Sequence, residues 1–366
     1  MKVAWRELYR RPGRFALAVG VLTLLTTLLV ILGGLLDGLF LGSTGAIRAQ
    51  QADVIAFSAA ARDSFLRSRI APPLRARVEA APGVRETGGL GVTLVGARIP
   101  GRDALSDAAV IGYELAPRGV PAVPPPGEGW ADRRLEVDGA RQGQTLLLGP
   151  RRVPVRVKGF VEDTSYLLQG SIWVAPETWR QVQNASRPDA AVGPGVFQSL
   201  AVRGSGTPAE LASSIESATG AAVSALTRDE AVFSLPGTRE QKRTFNGIIG
   251  ATLLVAVLVV SLFFVLLTLE RIGLYGVLKA IGASSTQLFA GVVLQAVAVT
   301  AVALILGIAV AAGLDRLIPP DVPLQIQAGR VMLTAGLMLA AAVVGSVVSL
   351  RRVVRIDPAS AIGRST

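Results

Sequence analysis

The chain has 366 residues, with 37 Lys and Arg against 26 Asp and Glu, so its formal net charge is +11 and its pI is near 11. It contains no cysteine and no histidine, which excludes disulfides, zinc sites built from these residues, Ser-His-Asp triads and thiol nucleophiles. It also contains no Gly-Lys-Ser or Gly-Lys-Thr, and therefore no Walker-type phosphate loop. We expect a non-enzymatic protein with no catalytic residue, no metal and no directly bound cofactor.

The N-terminal segment is predicted to enter a membrane. Residues 1–14 are basic and amphipathic, and they predict an in-plane elbow helix on the cytoplasmic side. Residues 15–40 form the first predicted transmembrane helix, because Phe15–Leu36 carries no charge and reaches the length that spans a bilayer. A signal peptide is the alternative, but its apolar core is only about 7–15 residues long.

Three glycines recur on this first helix. Gly34, Gly38 and Gly42 are spaced four residues apart, a pattern that lets another helix approach closely. The alternative is the ordinary glycine content of a chain that has 40 glycines. We predict a helix-packing role for the three.

Residues 41–243 are predicted to form a mixed α+β extracytoplasmic domain. Alternating and apolar runs predict eight strands, of which "VPVRVKGFV" is an example. Two capping boxes, Thr207–Glu210 and Thr227–Glu230, predict helix starts, and the second helix is expected to lead into the next membrane crossing as a stalk. The proline-rich stretch 117–129 is the best boundary between two subdomains.

The C-terminal third supplies three more predicted transmembrane helices, at residues 244–269, 286–314 and 331–350. Residues 270–283 predict a short amphipathic cytoplasmic helix, and residues 351–366 a basic cytoplasmic tail. The uncharged runs within the four spans argue against a path for a charged solute. The spans are more consistent with helices that pack together and transmit motion mechanically.

Basic residues near membrane ends stay in the cytoplasm, and here they place both termini inside and residues 41–243 outside. The outer segment holds 24 Lys and Arg against 20 Asp and Glu, whereas the rest of the chain holds 13 against 6. The positive excess therefore sits where topology requires it, and nucleic acid is not an expected partner. The residues that set the orientation are Lys2, Arg6, Arg10, Arg11, Arg14, Arg271, Lys279, Arg351, Arg352, Arg355 and Arg364.

Two residues are candidates for substrate binding. Tyr166, beside Glu162 and Asp163, offers oxygen ligands to a metal or to haem iron, although a polar turn after a strand is the more common explanation. Glu240 lies just before the second crossing, where a membrane-derived substrate would enter. Such residues more often mark the membrane interface.

The layout resembles the FtsX-like, or MacB-type, ABC transporter permeases. The resemblance is clearest in "RRPGRFALAVGVLTLL", "LERIGLYGVLKAIGASS" and "RRVVRIDPASAI". It implies a homodimer in membrane lipid that binds two cytoplasmic ABC ATPase subunits, which carry the ATP and Mg. It also implies that residues 270–283 are the coupling helix that meets the ATPase. The implied contact residues are Glu270, Arg271, Tyr275, Lys279 and Ala280.

Among such permeases, the stretches "ADVIAF", "DSFLRSRI" and "RFALAVG" are most similar to exporters of haem and of antimicrobial or lipid-like compounds. The resemblance therefore implies export or extraction of an amphipathic cargo. Haem is commonly held by His or Met, and this chain has no histidine. The alternatives are a non-transporting mechanotransmitter that activates a cell-wall hydrolase and, more remotely, a membrane-anchored scaffold.

Overall fold

The computed structural model describes residues 12–269, 284–319 and 322–354. The chain divides into two compact units, Met1–Gly38 with Lys242–Thr366, called here the membrane unit, and Leu39–Gln241, called the inserted unit. The helices and strands, in chain order, are α1 (Pro12–Arg48), β1 (Val54–Ser58), α2 (Pro72–Glu79), β2 (Val84–Arg98), β3 (Ser106–Tyr113), β4 (Glu128–Asp132), α3 (Arg133–Val137), β5 (Thr145–Leu148), β6 (Val153–Val161), β7 (Gly170–Val174), α4 (Pro176–Ser186), β8 (Ser199–Gly204), α5 (Pro208–Ala218), β9 (Val223–Thr227), α6 (Arg228–Ser234), α7 (Thr238–Leu269), α8 (Ser285–Asp315) and α9 (Ala328–Val354).

Within the described residues, four helices are long and apolar enough to cross a membrane. The candidate spans are Ala16–Arg48, Thr238–Phe263, Ala290–Asp315 and Ala328–Val347. One precedes the inserted unit and three follow it, which is the predicted architecture. Their shared core consists of small and aliphatic side chains, among them Ala18, Leu22, Ala256, Val260, Val292, Ala296, Val299 and Met338.

The inserted unit is built on one long strand. The first part of β2, from Val84 to Leu90, pairs with β8, and β8, β1 and β9 continue an antiparallel sheet. Helices α2 and α5 cover one face of this sheet through Val78, Leu211 and Ile215. The other face packs against α6 and the end of α1.

The second part of β2 belongs to a closed ring. From Leu90 onward β2 pairs with β3, and its last two residues pair with β5. The order β2, β3, β7, β4, β6, β5 closes on itself, with parallel pairs at β3–β7 and β4–β6. Glycines at 91 and 112 leave room for Trp179 of α4, because an added Cβ would lie 2.2 Å and 2.5 Å from its side chain.

The structure confirms both capping boxes and the mixed α+β class. It also differs from the sequence expectations. Strand β4 and helix α3 were not predicted, because neither has a long apolar pattern. The stalk prediction was wrong at its junction: α6 ends at Ser234, Leu235 adopts an extended conformation before Pro236, and α7 starts only at Thr238.

The predicted subdomain boundary at residues 117–129 falls between β3 and β4. Both strands belong to the same ring. The change from sheet to ring lies instead along β2, near Leu90, and at the start of β8.

Candidate functional site

An ion pair joins α1 to the start of α9 in the membrane unit. The carboxylate of Asp37 accepts two hydrogen bonds from Arg330, from Nε at 2.6 Å and from a terminal nitrogen at 2.5 Å. The two side chains are 12% and 30% exposed. A bidentate pair fixes direction as well as distance, so it holds the first turn of α9 in one orientation against α1.

Gly34 and Gly38 of α1 are covered by residues 322–327, a segment without regular secondary structure that leads into α9. The backbone N–H of Gln325 donates to the carbonyl of Gly34 at 3.0 Å. An added Cβ would lie 2.9 Å from Leu324 Cδ1 at Gly34, and it would overlap the carbonyl oxygen of Pro323 at Gly38. The close neighbour of these two glycines in this chain is therefore a segment without regular secondary structure and not a helix. We call this segment, together with the Asp37–Arg330 pair, the α1–α9 clasp.

Close contacts between helices occur at two other glycines. An added Cβ at Gly307 of α8 would lie 2.6 Å from Thr26 Cβ of α1, and the hydroxyl of Thr27 donates to the Gly307 carbonyl at 3.2 Å. At Gly345 of α9 an added Cβ would lie 3.0 Å from the carbonyl oxygen of Val257. The sequence analysis missed both, although each lies in a small-residue repeat, Ala303–Gly307–Ala311 and Ala341–Gly345–Ser349.

The third predicted glycine, Gly42, lies in the inserted unit against a tight turn. The backbone N–H groups of Leu167 and Leu168 donate to the carbonyls of Ser43 and Gly42, both at 3.0 Å. Both leucines have positive φ, 50° and 66°, which costs an L-residue roughly 1–2 kcal/mol. We call residues 165–169 the two-leucine turn.

Two glycines on α1 leave room for the two-leucine turn and the residues before it. An added Cβ would lie 3.0 Å from Leu168 Cδ2 at Gly42 and 2.7 Å from the Asp163 carbonyl oxygen at Gly45. Strained backbone persists only where its surroundings impose it. The hydrogen bonds to α1 supply that constraint, so the turn and the last turns of α1 are structurally interdependent.

The candidate substrate residues lie in different environments. Tyr166 is 3% exposed and packs edge-on to Phe65 in the core, and burial raises the pKa of its phenol. Glu162 is 67% exposed and pairs with Arg133. Glu240 is exposed in the first turn of α7. The geometry therefore presents Glu240, and not Tyr166, on the surface.

The predicted ATPase-contact residues cannot be placed in the same way. Glu270, Arg271, Tyr275, Lys279 and Ala280 all fall within 270–283, outside the described residues. Among the residues that the structure describes, no cluster of three Asp or Glu side chains is arranged to hold a metal ion.

Comparisons with known proteins agree with this architecture. Residues 246–358 match the family described as FtsX-like permease C-terminal. An uncharacterized ABC transporter permease of Mycobacterium tuberculosis (strain ATCC 25618 / H37Rv) is 29% identical over 371 residues, covering 98% of each chain. A putative hemin transport system permease protein, HrtB, of Staphylococcus haemolyticus is 29% identical over 123 residues, covering 34% of this chain and 35% of its own.

Two solved structures also align. The periplasmic region of MacB from Actinobacillus actinomycetemcomitans has a TM-score of 0.34 at 12% identity, covering 52% of this chain and 96% of its own. The extracellular domain of the transporter YknZ from Gram-positive bacteria has a TM-score of 0.32 at 12% identity, covering 48% and 99%.

Among the described residues, four apolar helices, one before and three after a large α+β unit, give the architecture of a multi-span membrane protein. Its C-terminal part matches the FtsX-like permease family, and the chain as a whole is similar to an ABC transporter permease.

Proposed function

We propose that the chain is the permease subunit of an ABC exporter, which converts ATP hydrolysis by a cytoplasmic partner into motion of its inserted unit. The observation that carries this proposal is the similarity to an ABC transporter permease over 98% of the chain. In this proposal both termini lie in the cytoplasm and the inserted unit lies outside, an orientation that the basic flanks support.

Helix α1 is the element through which we propose that motion passes. It contributes the clasp residue Asp37 to the membrane unit and the turn-binding residues Gly42 and Ser43 to the inserted unit. A shift of α1 acts on α9 through the clasp and on the two-leucine turn through backbone hydrogen bonds. No charge needs to cross the bilayer for this mechanism.

The proposed complex is a homodimer with two ATPase subunits, which supply the ATP and Mg chemistry. Residues 270–283 form the contact, with Glu270, Arg271, Tyr275, Lys279 and Ala280 facing the ATPase. Lys279→Ala should reduce the yield of co-purified ATPase in detergent, while Lys242→Ala, a lysine at the start of α7, serves as the matched control. An unchanged yield with Lys279→Ala and Tyr275→Ala would contradict the assigned contact.

The orientation is directly testable because the chain has no cysteine. Ser213→Cys, on exposed α5, should react in intact cells with a membrane-impermeant maleimide. Ser365→Cys, in the C-terminal tail, should react only after lysis. Reaction of both, or of the tail alone, would overturn the topology.

For the cargo, we propose an amphipathic compound of the haem, antimicrobial or lipid-like class, with Glu240 as a surface contact. The partial similarity to a permease named for hemin supports this class. Reconstituted with its ATPase, the permease should show hemin-stimulated ATP turnover that Glu240→Ala reduces. Turnover that responds only to an added cell-wall hydrolase would favour the mechanotransmitter.

A further inference from the structure

A cavity opens on the outer side of the ring where β2 ends and β5 turns into β6. The strand register explains its position. Ala97 of β2 faces Leu148 of β5, and both are buried in the ring interior. The next pair, Arg98 and Leu147, therefore lies on the opposite, outward side.

The cavity has a volume of about 370 Å³, which is within the size range of small-molecule sites. Gly96 forms the floor of the cavity, and a side chain at this position would occupy part of it. An added Cβ there would lie 3.3 Å from Leu105 Cδ1. The lining residues are Gly96, Arg98, Leu105, Leu147, Gly149, Pro150 and Arg152.

The walls are held in place before any ligand arrives. The backbone N–H of Gly149 donates to the carbonyl of Gly96 at 2.9 Å, and that of Arg152 donates to Gly149 at 3.1 Å. The loop between β2 and β3 is fixed by the Arg102–Asp138 ion pair at 2.8 Å. A site with fixed walls loses little conformational freedom on binding.

The chemistry of the lining is both cationic and apolar. Leu105 is 58% exposed and supplies an apolar surface beside the two arginines. Within the ranges that the structure describes, neither Arg98 nor Arg152 makes an ion pair with a carboxylate. Guanidinium groups recognise carboxylates through paired hydrogen bonds.

We propose that this cavity, which we call the rim pocket, binds a small amphipathic carboxylate, with the apolar body on Leu105 and Leu147 and the carboxylate on Arg98 and Arg152. The rim pocket is thus a ligand-binding site that lies entirely within the inserted unit. It does not depend on the ATPase partner or on the cargo contact proposed above.

The test uses the full chain in nanodiscs of zwitterionic lipid, with calorimetric titration and subtraction of the heat from empty nanodiscs. The probe is 4-phenylbutyrate, and 4-phenylbutan-1-ol is its uncharged counterpart. The carboxylate should bind at least about tenfold more tightly than the alcohol, since hydrogen bonds to charged groups are the stronger ones.

Three variants separate the parts of the site. Arg98→Gln and Arg152→Asn should each weaken carboxylate binding about tenfold. Asparagine is chosen at position 152 because φ there is 53°, and asparagine tolerates this left-handed conformation. Gly96→Val should fill the floor and remove binding without a positive-φ penalty, as Gly96 is not left-handed. Arg85→Gln, an exposed arginine on the same strand, is the matched control and should bind as the parent does.

Absence of 4-phenylbutyrate binding to the parent chain would overturn the proposal. So would equal affinity for the alcohol, or undiminished binding in folded Gly96→Val and in the Arg98→Gln/Arg152→Asn double variant. No ATPase is present in this experiment, so its failure would leave the exporter proposal standing.

Discussion

Removing one partner of the Asp37–Arg330 pair should destabilise the membrane unit. Breaking a buried ion pair typically costs about 3–5 kcal/mol, because the remaining charge is left without compensation. Here the arginine side chain is 30% exposed, so water can partly replace the lost carboxylate. We therefore expect Asp37→Asn to cost about 1–3 kcal/mol.

Replacing both partners should cost much less. The stem of Arg330 packs on Gly33, where an added Cβ would lie 2.6 Å from Arg330 Cδ, and methionine retains most of that contact. In Asp37→Leu/Arg330→Met no charge is left unpaired. The double variant should lie within about 1 kcal/mol of the parent, since such replacements are often neutral.

The assay is a double-mutant cycle that combines Asp37→Leu and Arg330→Met, with reversible unfolding in mixed micelles followed by circular dichroism. A coupling energy above about 1 kcal/mol is expected for residues in direct contact. If the two single effects add to the double effect within about 0.5 kcal/mol, the two side chains act independently. The clasp would then not hold α9 against α1.

Three further predictions concern single positions. Gly38→Ala should destabilise the membrane unit by about 1–3 kcal/mol, because the added Cβ overlaps the Pro323 carbonyl. The same unfolding assay in micelles measures this change. An unchanged free energy of unfolding would show that residues 322–327 do not lie against Gly38. Burial raises the pKa of the Tyr166 phenol. The folded state therefore favours the neutral phenol, and this contribution to stability is complete below the ordinary pKa near 10 and is lost as the pH rises beyond it. Tyr166→Phe should reduce the loss of folded protein at alkaline pH, followed by near-ultraviolet circular dichroism, and should change stability little at pH 7. Thr227→Ala removes the hydroxyl that accepts a hydrogen bond from the Glu230 N–H. The loss should destabilise the start of α6 by about 1 kcal/mol, which hydrogen exchange should detect as faster exchange of the backbone amides there.

Local patterns in the sequence identified much of the fold. The uncharged runs predict the four long helices because a bilayer core requires that length and composition. The capping boxes at Thr207 and Thr227 mark helix starts, since they satisfy backbone donors locally. The alternation along β6 predicts a strand with one buried face, and its burial alternates as expected.

Other features depend on contacts between distant residues. No spacing in the sequence indicates that β2 pairs with β3, β5 and β8, or that β4 pairs in parallel with β6. Asp37 and Arg330 are 293 positions apart, and each reads as an ordinary membrane-flanking charge. The two-leucine turn was equally hidden, because leucine is not a residue that predicts positive φ.

The continuous strand β2 has a consequence for how the protein can diversify. Its first half belongs to the sheet with β8, whereas its end, together with the loops at residues 99–105 and 149–152, forms the rim of the ring. The exposed side chains of those loops take no part in the hydrogen-bond ladder of the sheet. Substitution of the exposed rim side chains Arg98, Leu105 and Arg152 should therefore change the ligand preference of the proposed rim pocket without altering the scaffold.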